Sequence, residues 1–212
     1  MRRKLIIATI SLLAVLFVVL YLKLPGAEEA FQKDADIVRL RHLENYGKLI
    51  EEFRAKTGKL PLQGVADVPT YVHIANDEQI EFAKNGPPQP HKLVPVADLV
   101  AELEAGLDRP IDEYYDPQFR PYKKPNFYIY MVNGDAYFFA VHVQQSFPFA
   151  RRIGDAYYKI EISNFANDAN GACDPALLFA APDFISARDQ AVSKGGFFAA
   201  REEKYRHSTK QP

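Results

Sequence analysis

The feature that most constrains this chain is an uncharged run near its start, Leu5 to Leu22, LIIATISLLAVLFVVLYL, whose only side-chain hydroxyls are Thr9, Ser11 and Tyr21. As a helix rising 1.5 Å per residue, about eighteen residues reach about 27 Å, enough for the hydrocarbon core of a bilayer. Arg2, Arg3 and Lys4 precede it, and the positive-inside rule keeps that flank in the cytoplasm and sends the rest outward. A cleaved signal has a shorter apolar region ending in a small-x-small site. Here the nearest such site, after Ala27, sets Pro25 three positions before the cut, and no cysteine follows the run to carry a lipoprotein anchor. The expectation is an uncleaved signal-anchor over 1–24 in the inner, cytoplasmic membrane of a bacterium. The domain exported to the periplasm or beyond is 25–212. A cleaved signal is the alternative, and oligomeric state is left open.

Without Arg2, Arg3 and Lys4, the 26 basic residues become 23 against 27 acidic, a balance of −4 for the exported part. No basic stripe with interleaved aromatics appears, so nothing favours nucleic acid. Hydrophobic content of 48% with 13% aromatics fits a folded globule. Cys173 is the single cysteine, so no intramolecular disulfide forms. A small buried apolar residue is the simpler reading of it than a reactive thiol.

After a break at 23–27 marked by Pro25 and Gly26, a helix is expected over Glu28–Lys56. Leu43, Tyr46, Ile50, Phe53 and Thr57 form one stripe at spacings of three and four. Arg41, Glu44, Lys48, Glu51, Glu52 and Arg54 fall off the stripe toward water, with Glu44 and Lys48 placed for an ion pair. Gly58 ends the helix. Residues 59–95 read as irregular apart from a strand at Tyr71–Ala75, followed by a helix at Val96–Leu107 and a loop from Asp108 to Lys124. Phe127–Val132 and Asp135–Val143 flank Asn133-Gly134, the signature of a type I′ hairpin. Tyr157–Ser163 adds a third strand of a meander. Residues 164–182 read as loop, Phe184–Lys194 as a surface helix, and the residues beyond Gly195-Gly196 as a short helical tail. The expected fold class is α+β: a transmembrane helix continuing into an amphipathic helix packed on an antiparallel sheet, with a short C-terminal helix.

Two stretches, YGKLIEEFRAKTGKLP over Tyr46–Pro61 and DPQFRPYKKPNFYIY over Asp116–Tyr130, resemble segments of type IV pilins and the pseudopilins of type II secretion. In those families a helix ends in Thr-Gly before an apolar residue and Pro, and an Asp-Pro segment enters the sheet. The anchor here begins RRKLIIATISLL, without the Gly before Phe-Thr-Leu-x-Glu that a prepilin peptidase cuts. The resemblance therefore implies a pilin-like topology on a permanent anchor.

No catalytic constellation stands out. His42, His73, His91, His142 and His207 are scattered without paired metal spacing, and His142, within a strand run, reads as a hydrogen-bonded structural histidine. No cofactor is expected. Asp168, Asn170 and Asp174 around Gly171 offer oxygen ligands of the kind calcium takes, and pseudopilins can carry calcium in a late loop, but an Asx-rich turn is the ordinary reading. Tyr114, Tyr115 and Tyr122 among acids, and Phe147 and Phe149 before Arg151 and Arg152, form amphipathic clusters suited to an interface. The expected function is binding of another envelope protein, as an assembly or scaffold subunit or as a toxin-immunity protein. The rival is a periplasmic envelope hydrolase using Asp112, Glu113 and Asp116 as acid and base.

Overall fold

The computed structural model of the chain describes residues 10–19, 25–75, 91–117, 127–154, 157–165 and 174–190, with 25–29 as backbone alone. Among these residues the order is α1 (10–19), α2 (Pro25–Thr57), β1 (Thr70–Ile74), β2 (Lys92–Val94), α3 (Val96–Leu107), β3 (Tyr128–Asn133), β4 (Ala136–Val143), β5 (Arg151–Arg152), β6 (Tyr158–Ser163), α4 (Pro175–Ala180) and α5 (Pro182–Arg188). The fold is α+β. The helical tail expected beyond Gly196 lies outside the described residues.

The sheet has six strands in the order β2-β1-β3-β4-β6-β5. The β3-β4-β6 meander forms as the alternation predicts, and the Tyr71 strand joins it through β3, with Val72 opposite Tyr130. The sheet is mixed rather than antiparallel, because β2 pairs in parallel with β1, Tyr71 opposite Leu93. Three residues of β2 and two of β5 are too short to show a period of two, which is why the sequence predicts neither strand.

The hairpin turn also differs by one residue. Asn133 pairs with Ala136 as the last rung of the ladder, so Gly134 and Asp135 are the turn. Only Gly134 has positive φ, +56°, the pattern of a type II′ turn, in which glycine leads. The Asn164 side chain holds this turn from outside, donating to Asp135 O at 2.6 Å and accepting from Tyr137 N at 2.8 Å.

One face of the sheet, carrying Val72, Tyr130, Phe139, Val141 and Ile160, is buried in the core with α2. The helix begins at Pro25, so Gly26 lies inside it and residues 25–27 run unbroken into Glu28. The stripe Leu43, Tyr46, Ile50 and Phe53 is buried as expected, while Thr57 is exposed and bonds back to Phe53 O at 2.8 Å. Gly58 closes the helix, its N–H donating to Arg54 O at 2.9 Å. The stripe underestimates the burial. Asp34, Asp36, Arg39, His42 and Glu44 are buried too. Glu44 pairs with Lys48 at 2.7 Å, as its spacing predicts, and also takes two bonds from Arg188 Nη1 at 2.9 and 3.0 Å. The half-buried Glu51 accepts the Tyr137 hydroxyl at 2.6 Å. Tyr128 and Tyr137 of the sheet thus give hydroxyl partners to His42 and Glu51, while Asp36, Arg39 and Glu44 meet charged or backbone partners.

Residues 175–188 are two short helices, each with proline at its start, where the missing N–H costs nothing. Phe184 and Ala187 are buried while Pro182, Asp183 and Ser186 are exposed, so α5 is a surface helix with one face in the core, beginning two residues earlier than expected. The chain passes closely over α2 here: a Cβ at Gly47 would stand 2.6 Å from Ile162 Cδ1 and 2.7 Å from Phe179 Cζ. Only glycine admits that approach.

On the opposite side of β1, His73 stacks on Phe127 at 4.6 Å and His91 packs at a tilt on Tyr71 at 4.1 Å. Burial, and then the nearby His91, hold the His73 imidazole below its ordinary value. The folded state thus prefers the neutral ring, and the stability this contributes is present above the ordinary imidazole range. It is lost as pH falls through that range, about 6.5, toward the folded value. The urea midpoint should therefore fall between about pH 7 and pH 5, and His73→Phe should flatten that slope. Equal slopes for the two proteins would remove His73 as a source of it.

The residues of α1 stand apart from this core. Eight large apolar side chains, from Ile10 to Val19, are 48 to 72% exposed. Among the described residues no helix is long and apolar enough to cross a membrane.

Candidate functional site

The loop that carries the acidic and tyrosine candidates, 111–117, lies along α2, and side chains of the fold fasten it at each step. Glu104 Oε1 of α3 accepts the Ile111 N–H at 3.0 Å. The Tyr46 hydroxyl, rising from the stripe of α2, donates to Tyr114 O at 3.1 Å and accepts from Tyr114 N at 3.0 Å. The Tyr128 hydroxyl from β3 donates to Tyr115 O at 3.2 Å and meets His42 Nδ1 at 2.8 Å. A phenol has one proton, so when Tyr128 gives it to Tyr115, His42 Nδ1 must be the donor in the second bond. The Tyr114 ring then packs 5.0 Å from His42 and 5.7 Å from Tyr46.

The loop ends on a buried ion cluster. Arg39 is fully buried and grips Asp116 with two parallel bonds, Nε to Oδ2 and Nη2 to Oδ1, each 2.9 Å. Its Nη1 donates to Asp36 Oδ1 at 2.6 Å, and Asp36 accepts the backbone N–H groups of Gln144 and Gln145 at 3.0 and 2.8 Å. Burial alone would pull the Arg39 pKa down, but Asp116 and then Asp36 outweigh it and raise it. One guanidinium thus ties α2, the end of β4 and the 111–117 loop together. Burial, relieved in part by the Tyr114 backbone bond, likewise pushes the Tyr46 hydroxyl far above the ordinary phenol range.

This geometry sorts the residues that the sequence nominates. Asp116 faces inward, 5% exposed, whereas Asp112 and Glu113 are exposed. The three carboxylates do not line one accessible site, as a cooperating acid and base must. Burial, then Glu104, raises the Glu113 carboxyl above its ordinary value, and the Tyr115 hydroxyl donates to it. Tyr114 and Tyr115 are half-buried with their backbones fastened, and Tyr122 lies outside the described residues. Phe147 and Phe149 are also half-buried: their rings stack at 5.2 Å and Phe149 meets the buried Phe184 at 5.4 Å. Only Arg151 and Arg152 of the described interface candidates are exposed, and they lie on β5, at the sheet edge, far from the acidic loop in sequence.

No family model, curated protein or solved structure matches the chain.

Of the calcium candidates, Asp168 and Asn170 lie outside the described residues. Asp174 caps α4 instead, accepting from Ala176 N at 2.8 Å and Leu177 N at 3.2 Å. Among the described residues no group of three or more His, Cys, Asp and Glu is placed to hold a metal ion. His142 is buried in β4 and meets Tyr157 edge-on at 6.0 Å. Cys173 lies outside the described residues.

Sequence patterns did not single out Arg39 or Asp36, yet a signal for Arg39 was present. Four residues before Leu43, the stripe extends to position 39, so an arginine occupies a core position of the helix. A charge on an apolar stripe announces a buried partner. That the partner is Asp116, 77 residues on, only the tertiary structure tells.

Proposed function

We propose that this chain is a membrane-anchored protein of a bacterial envelope, N-terminus in the cytoplasm, whose extracytoplasmic domain binds another protein. One observation carries the anchor: all ten residues of α1 are exposed and all but Ser11 are apolar, so apolar side chains face every direction around the helix. A helix apolar all round belongs in lipid or in a protein interior, not in water. The flanking apolar residues of Leu5–Leu22 extend the same character to the length of a span.

The binding role draws support from the 111–117 loop. Asp112 and Glu113 are exposed on a backbone held from beneath by Glu104, Tyr46 and Tyr128, so the acids are presented without a large ordering cost on binding. A basic partner fits this surface. A long helix leading from an anchor onto a sheet also suits an assembly subunit with pilin-like layout. A toxin-immunity role uses the same acidic surface against a basic toxin.

The test uses the full chain in a bacterial membrane. Wild type should stay in the membrane pellet after alkaline carbonate washing, and Val15→Arg with Leu16→Arg should release it, since each arginine in a span costs about 2.5–3.5 kcal/mol. A photo-crosslinker at Asp112 should join the domain to one partner, and the same group at Asp67 should not. Wild type washing free of the membrane would sink the anchor, and equal cross-linking from both positions would sink the binding surface.

A further inference from the structure

β4 runs antiparallel to α2. Its Tyr137 bonds Glu51, its Phe139 ring lies 5.1 Å from Tyr46, and the chain leaving it at Gln144 and Gln145 donates to Asp36. The strand therefore heads toward the N-terminal end of α2, and the 146–154 segment begins there, with β5 turning back so that Arg151 and Arg152 stand level with His142 and Val143. Pro25 follows Leu22 by three residues, so no more than about 11 Å of chain separates α2 from the apolar run. Asp36 stands about 17 Å further along the helix, and the loop leaves β4 in the direction of the anchor.

The chemistry of this end is that of a membrane interface. Arg151, Arg152 and Lys33 are exposed, as are Ile153 at 39% and Phe31 at 40%. Phe147 and Phe149 stack on each other and Phe149 packs at a tilt on Phe184, so the arginines stand on a fixed base, where Arg152 Nε also donates to Gly154 O at 3.1 Å. Arginine beside apolar side chains is the composition that sits at headgroup level.

We propose that the 146–154 loop rests on the membrane surface. Arg151 and Arg152 meet the phosphates of anionic lipid headgroups, and Ile153 and Phe31 enter the interfacial layer. The contact tilts α2 and fixes which side of the domain faces away from the bilayer, leaving Asp112 and Glu113 for the partner. This rests on the anchor reading above. An acidic protein docked on the same arginines is the competing occupant. Lipid is favoured because the loop and the anchor lie at one end of the domain.

The experiment uses the full chain with Cys173→Ser, reconstituted in vesicles of 70% phosphatidylcholine and 30% phosphatidylglycerol, and separately in phosphatidylcholine alone. An environment-sensitive fluorophore is placed at Val15→Cys, Ile153→Cys or Asp67→Cys, and quenching by brominated lipid is read. The expected result is strong quenching at 15 in both vesicles, quenching at 153 in the anionic vesicle, and none at 67. Arg151→Gln with Arg152→Gln should reduce the signal at 153 at least fivefold while leaving 15 unchanged, since one basic residue near an anionic surface contributes roughly fivefold. Raised salt should act in the same direction. Quenching at 15 without quenching at 153 would overturn the lipid contact, keep the anchor and return the arginines to a protein partner. Absence of quenching at 15 would overturn the anchor, and the lipid contact with it.

Discussion

Arg39→Met should lower the stability of the domain by about 3–5 kcal/mol, measured as the urea unfolding free energy. The substitution keeps the volume and removes the charge, leaving Asp116 and Asp36 buried without their cation. Asp36 still accepts the N–H groups of Gln144 and Gln145, whereas Asp116 loses the two parallel bonds from Arg39. Adding Asp116→Asn to Arg39→Met should recover part of the loss, although Asp116→Asn alone destabilises, a strong coupling in a double-mutant cycle. An Arg39→Met protein within about 1 kcal/mol of wild type, or additive single effects, would show that the cluster does not hold the loop to the helix.

Tyr46 does two jobs, and two substitutions separate them. Tyr46→Phe keeps the ring against Phe139 and Tyr114 but removes the hydroxyl that bridges Tyr114 N and O, at an expected cost of about 1–3 kcal/mol. Tyr46→Ala also opens a cavity in the core, with an expected cost of about 3–5 kcal/mol, as for other buried aromatics. The two should also differ in place. Tyr46→Phe should speed amide exchange chiefly at Ile111–Asp116, where the loop loses its central fastening, while Tyr46→Ala should speed it through α2 and β4 as well. Equal exchange of the loop in Tyr46→Phe and wild type would mean that packing, not the hydroxyl, holds the loop.

These two residues also mark how far the sequence could be read. The apolar spacing of α2 is visible from Leu43 to Phe53 because those side chains meet the sheet directly, and a helix buries whatever recurs at 3.6 residues. Arg39 falls on the same spacing, but its charge, like those of Asp36 and Glu44, hides its burial from an apolar pattern. Their burial depends on Asp116, Gln144, Gln145 and Arg188, which no local pattern brings near. The hairpin was legible as a hairpin because its two strands alternate. The identity of its turn was not, since Asn133 pairs in the ladder and leaves the positive φ to Gly134.

The candidate site divides in the same way. Residue types alone singled out the 112–116 acids and the Phe-Pro-Phe-Ala-Arg-Arg segment. Composition cannot distinguish an acid that faces water, such as Asp112, from one gripped by a buried guanidinium, such as Asp116.

What the sequence determined by itself was the placement of the β3-β4-β6 meander, the boundaries of α3 and the apolar stripe of α2. These are local quantities, set by side-chain period and by residues that end elements. The tertiary structure decided the mixed sheet, the burial of a charged helix and the inward turn of Asp116. Each of these depends on pairing between residues distant along the chain, where a desolvated charge is stable only if its partner arrives in the right geometry.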